Sequence, residues 1–369
     1  MKIESKKLKM SFETPHSTDC RVGLKLSVIQ TSEHGRAWLA AHMGVFMNHL
    51  LNVTVGNGLY EMHLNDFDDI LLTREIDIWS VPPEEIVDVI IRQIDDHKYV
   101  MIDLYMRKQF PDGGGNDIQS WLIYGYDKTA GVLYYLCMIN KQFTEDTTSF
   151  DFFTQVYADM QEVYEGDAKT KVLRRMSYYP LGTIELKEYS EDNAVFHSLI
   201  YKIQPEYSGG VFREIHLNAE GKEISNQTWY KGIDCLTGIR QKLEELVTGS
   251  DEEMRALLPY AARGAYILYE HRKRIRNDMF WIMEKLQWED SGMAGIIQRY
   301  GENSENLELL HNLLNKAWVT CDRSILPKAA DKIREQYRLE KTLLEAFTNA
   351  AFEYYTYTQS KPFFDLKQE

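Results

Sequence analysis

A chain of 369 residues is longer than one typical domain, and 44% hydrophobic with 27% charged residues is the balance of a folded protein with sizeable cores. Its 56 acidic residues outnumber 42 basic ones for a net charge of −14, which argues against a general nucleic-acid binder, because phosphate binding needs a basic footprint. Cys20, Cys137, Cys235 and Cys321 lie far apart and form no CxxC pair, so neither a structural zinc site nor any other metal or cofactor is expected.

The first ten residues, MKIESKKLKM, are charged and lead into no apolar stretch, so no signal peptide is expected. No run approaches the roughly 18 apolar residues of a membrane span. Free thiols in a reducing cytoplasm are the expected setting. The segment SVPPEEIVDVIIRQIDDH predicts a helix: Pro82 and Pro83 suit its first turn, Glu84 and Glu85 its positive end, and Ile86, Ile90 and Ile94 make one apolar face. KYVMIDLYM then predicts a strand, and 108–117, with Pro111 and three glycines, a loop. WLIYGY and VLYYLCMI predict two strands joined by the turn DKTAG. A helix is expected from about Ser149 to Glu165, with Phe152, Phe153, Val156, Tyr157 and Met160 at helical spacing. After EGDAKTK comes the strand-like YYPLGTIELKEY. From KGIDCLTGIRQKLEELV to about residue 355 the pattern is helical, and Ser250 with Glu253 forms a capping box. The expected class is α+β: a domain over 1–168 with an antiparallel sheet, then a mostly helical domain over 169–369.

Several motifs carry little chemistry. The glycines 113–115 lack the helix start and Lys that a phosphate loop needs. His42 and His49 are seven residues apart and would share a helix face, a weak metal signal. DFDD at 66–69 reads as solvated loop. HRKRIR at 271–276 is the densest basic run; a solvated helix face is the favoured reading, and a docking site for an acidic partner the other.

The hairpin near residue 120 is the central signal. A cysteine nucleophile belongs at a helix N-terminus, its base at the head of a strand, and the group that orients the base on the next strand. Cys20 in HSTDC lies upstream, NDIQS heads the first strand, and MIN ends the second. This is the papain order. Ser17, Thr18 or Asp19 suits the cap of a helix beginning at Cys20. RVGLKLSVIQ also alternates like a strand, which would remove the helix dipole from the thiol, and Asp19 would disfavour the thiolate. His16 is a possible substitute base.

KYVMIDLYM, the Gly-rich loop, DIQSWLIYGYDKTAGVLYYL and YKGIDCL together resemble the butirosin biosynthesis protein H family, with LIYGYD at 122–127 and IDLY at 102–105 the most specific pieces. The resemblance implies a papain-like N-terminal domain with a helical C-terminal region, in bacterial peptide or aminoglycoside natural-product biosynthesis. It implies acyl transfer from a carrier-protein thioester, through an active-site cysteine, to an amine. Cys20 would be the nucleophile, Gln119 would stand at the histidine position, and Asn140 at the orienting position. Asp103, Tyr105 and Tyr124 would line the substrate cleft. An acyl or peptidyl carrier protein, or a biosynthetic enzyme, would be the partner. Gln119 departs from the pattern: an amide takes no proton at neutral pH, so it offers at most a hydrogen bond to an oxyanion. Two expectations follow. The first is an accessory protein, degenerate in its triad, that binds a carrier protein or peptide intermediate. The second is a cysteine-dependent acyltransferase working through Cys20.

Overall fold

The computed structural model describes residues 4–12, 20–56, 67–106, 118–139, 142–166, 180–188, 193–217 and 220–365. In chain order the elements are β1 (Ser5–Lys7), α1 (Cys20–Ile29), α2 (Glu33–Ala41), β2 (Gly44–Asn48), β3 (Val53–Gly56), β4 (Leu71–Glu75), α3 (Ile86–Asp95), β5 (Tyr99–Tyr105), β6 (Ile118–Asp127), β7 (Val132–Ile139), β8 (Gln142–Ser149), α4 (Phe150–Gly166), β9 (Leu181–Leu186), α5 (residues 194–208), β10 (Gly210–Leu217), β11 (Glu223–Lys231), α6 (Asp234–Leu246), α7 (Asp251–Lys285), α8 (Ser291–Thr320) and α9 (Ile325–Asp365). The middle of α5, Ser198–Ile203, winds as a π-helix.

Two compact units form, and each is discontinuous in sequence. One comprises Met1–Arg36 and Phe67–Ser190, the other Ala37–Asp66 and Glu191–Glu369. Sequence patterning placed a boundary after 168; in the fold, β9 joins the first unit's sheet, while β2 and β3 join the second's.

The first unit is built on a seven-stranded antiparallel sheet, ordered β4-β9-β5-β6-β7-β8, with β1 also paired to β6. Val100, Ile102 and Leu104 of β5 point to one face with Trp121 and Ile123 of β6. There they meet Ile86, Ile90 and Ile94 of α3 and Phe153, Val156, Tyr157 and Met160 of α4. The predicted apolar faces of both helices are therefore the core. Phe152 alone of the α4 set turns out to solvent. Asp103 and Ser120 lie directly opposite each other on the other face, which Arg21 of α1 reaches. Burial on both faces explains why YVMIDLY is nearly all apolar.

Between the two open readings of RVGLKLSVIQ, the helix holds: α1 begins at Cys20. The alternation misleads because Val22, Gly23, Leu24, Leu26, Ser27, Val28 and Ile29 are all buried, so the helix has almost no polar side to reveal its period.

The second unit pairs a four-stranded antiparallel sheet, β10-β11-β2-β3, with helices α5 to α9. Leu199, Ile203, Ile275, Met279, Ile297, Leu344 and Phe347 form one of its cores. The Ser250–Glu253 capping box starts α7 as expected. Two expectations are corrected here. His42 follows α2 and His49 follows β2, so they share no helix face. In the run 271–276, His271, Arg272, Arg274 and Ile275 are buried, so the basic segment is mostly interior rather than a solvated face or a docking patch.

Candidate functional site

β5 and β6 pair with Asp103 opposite Ser120, which puts a carboxylate and a hydroxyl side by side in the sheet. The Ser120 hydroxyl donates to Asp103 Oδ1 at 2.6 Å. α1 supplies the next two groups. Arg21 Nη2 stands 3.0 Å from Asp103 Oδ2, and Cys20 Sγ donates to the Ser120 carbonyl at 3.7 Å. Cys20, Arg21, Asp103 and Ser120 thus form one cluster where the start of α1 meets β5 and β6.

The electrostatics around the thiol oppose one another. The N-terminus of α1 favours a thiolate. The thiol's own hydrogen bond runs instead to the Ser120 carbonyl, whose negative end faces the sulfur. The Arg21 charge is matched by the Asp103 carboxylate. Burial pushes the Asp103 pKa up, against the pull of Arg21 and the Ser120 hydrogen bond.

Gln119, which the resemblance sets at the histidine position, is engaged on the other face. Its Oε1 accepts from Trp121 Nε1 at 3.0 Å, and the Trp121 ring stacks on Tyr135 with centroids 3.7 Å apart. Cys137 sits opposite Trp121 on β7. Burial, and then Cys20 and Asp146, pushes its thiol up to about 12, so it is an inert core thiol.

The two tyrosines that the resemblance places in a substrate cleft, Tyr105 and Tyr124, do not share this cluster's geometry equally. Tyr105, partly buried at the end of β5, packs against the main core two residues beyond Asp103. Tyr124 lies four residues along β6 from Ser120, roughly 13 Å away at strand spacing, beside a register shift between Ile123 and Gly125. Its hydroxyl donates to Glu145, and burial first, then Glu145, raises its pKa. Asn140, His16, the cap candidates Ser17, Thr18 and Asp19, and the predicted loop 108–117 lie outside the described residues.

Two histidines of this unit are among the described residues, and neither stands at the Cys20 end. His34 belongs to α2, which begins beyond the far end of α1, roughly 13 Å down the helix axis from Cys20. His97 precedes β5, whose first residue is roughly 13 Å from Asp103. No group of three or more metal-ligating side chains occurs among the described residues.

Sequence reasoning found Cys20 and Asp103 but passed over Arg21 and Ser120. The signal was available: Arg21 adjoins Cys20, and an antiparallel register that sets Asp103 opposite Ser120 makes them hydrogen-bond partners.

No known family model matches the chain, and no curated protein sequence matches it.

Proposed function

We propose that this chain is an accessory protein of bacterial specialised-metabolite biosynthesis, with a papain-like first unit whose triad has degenerated. It binds a carrier protein or peptide intermediate, and its setting is the cytoplasm. The observation that carries this reading is the way the candidate groups are already engaged. Cys20 donates a hydrogen bond to the Ser120 carbonyl, Gln119 accepts from Trp121, and Asp103 is held by Arg21 and Ser120. Such pairing is structural in kind, and Gln119, an amide, takes no proton at neutral pH. That no described helix is long and apolar enough to cross a membrane and that all four cysteines are free accord with this setting.

A second reading is favoured by one observation, the start of α1 at Cys20. In that reading the Cys20 thiolate attacks the carbonyl carbon of a carrier thioester, and the carrier thiol leaves with a proton. An amine then attacks the acyl-cysteine, gives up its proton and regenerates the thiol.

Titration of holo- and acyl-loaded bacterial carrier proteins into the full chain tests the first reading. We expect a complex that Cys20→Ala forms equally well. Failure of every carrier to bind would overturn it, and binding lost in Cys20→Ala would transfer support to the acyltransferase.

A further inference from the structure

Among the edge strands of the two sheets, β10 is the least protected. A free edge invites another strand, and proteins blunt it with shortness, charge or cover. β1, β3 and β4 are three, four and five residues long. β8, at one edge of the first unit's sheet, carries Glu145 and Asp146 among threonines. β10, at one edge of the second unit's sheet, runs for eight residues and pairs with β11 alone among the described strands. Its ladder is regular from Gly210 to Ile215, roughly 20 Å, before a register shift between His216 and Leu217.

Side chains alternate along a strand, so Val211, Arg213 and Ile215 share one face. Opposite them on β11 stand Tyr230, Thr228 and Asn226, and Ile224 continues that row. Val211 is 57% exposed, Ile215 51% and Ile224 66%. Arg213 is exposed too, and it is the one charged residue in these two rows. On the other face Phe212, 40% exposed, stacks on Trp229 with centroids 6.4 Å apart. Glu214 on that face accepts from Trp229 Nε1 at 3.0 Å.

We propose that β10 receives an extended segment of another polypeptide as a fifth strand, with a carboxylate of that segment opposite Arg213 and apolar side chains opposite Val211 and Ile215. Main-chain hydrogen bonds along the edge give the segment its affinity, and the alternating side chains choose it. A second copy of this chain fits the edge less well. Two β10 strands paired antiparallel about a two-fold axis keep each face on its own side, so the axis must pass through a residue position. The one such register that opposes Val211 to Ile215 also opposes Arg213 to itself, and like charges directly opposite destabilise a strand pair. An acidic residue at that position turns the repulsion into an attraction.

The test uses the full chain and two labelled heptapeptides, Thr-Val-Lys-Asp-Tyr-Val-Thr and the same sequence with Lys in place of Asp. Binding is read by fluorescence anisotropy and located by amide hydrogen exchange. The Asp peptide should bind about fivefold more tightly than the Lys peptide. It should also slow exchange at the amides of Gly210–Ile215. Arg213→Glu, a change at an exposed side chain, should reverse the preference, and Val211→Lys combined with Ile215→Lys should abolish binding of both peptides. The proposal is overturned if neither peptide binds, if the preference survives Arg213→Glu, or if protection appears only outside β10. A dimer in sedimentation that Val211→Lys dissociates also overturns it, because a second copy then occupies the edge.

Discussion

Arg21 shows how one side chain decides what a candidate site is worth. It lies next to Cys20 in sequence, yet it spends its charge on Asp103. Arg21→Met should destabilise the first unit by about 2 kcal/mol, a discounted figure because the guanidinium is partly exposed, since Asp103 would keep its buried charge without a counter-ion. Adding Asp103→Leu should recover most of that loss in urea unfolding; if the double variant is as unstable as the single, the pair is not what holds this corner. Thiol labelling probes the same scale. Cys137 and Cys235 are buried, and burial raises both their pKa values, so iodoacetamide should reach them only in denaturant. Glu206 supplies a pH signature. Burial alone would raise its pKa, but His271 and Arg272 outweigh that and hold it at about 2. A depressed carboxylate stabilises the fold above its unfolded value of about 4.5, and that contribution is lost as pH falls through about 2. The stability gap between the parent and Glu206→Gln should therefore shrink between these limits; a gap independent of pH would contradict the assignment. Cys20 was legible as a candidate from its type and its place ahead of the two strands, while Asp103 was named only through the resemblance to the butirosin biosynthesis protein H family. The buried state of His271, Arg272 and Arg274 was not, because counter-charges sixty or more residues away, such as Glu206 and Glu340, make it tolerable.

Elements divide into those whose period speaks and those whose period is masked. α3 was legible because Ile86, Ile90 and Ile94 form one stripe beneath a Pro-Pro-Glu-Glu start, and α7 because its capping box is written in Ser250 and Glu253. α1 was ambiguous because burial surrounds most of it. The hairpin of β10 and β11 went unread although its strands pair over eight residues of β10; its exposed Val211, Ile215 and Ile224 blur the contrast between faces on which strand recognition depends. Since Leu24 is fully buried in α1, Leu24→Ala should cost about 3 kcal/mol in chemical unfolding.

At the scale of the whole molecule, local patterning carried the α+β class and the helical second half but not the exchange of segments between units. β9 sits between β4 and β5, so the sheet is complete only when residues well past 168 return to it. Nothing local marks that return, because strand partnership is a long-range property. The papain-like reading rests on the order of a helix headed by Cys20, β6 and β7, and on the residues that resemble the butirosin biosynthesis protein H family. The central claim is that the first unit keeps this arrangement while its thiol is no nucleophile. Intact-mass analysis after incubation with short acyl-pantetheine thioesters tests it most directly, with Cys20→Ala alongside. The account predicts no acyl adduct on either protein and slow alkylation of Cys20 by iodoacetamide at neutral pH. An adduct on the parent that vanishes in Cys20→Ala would contradict it and establish a working cysteine.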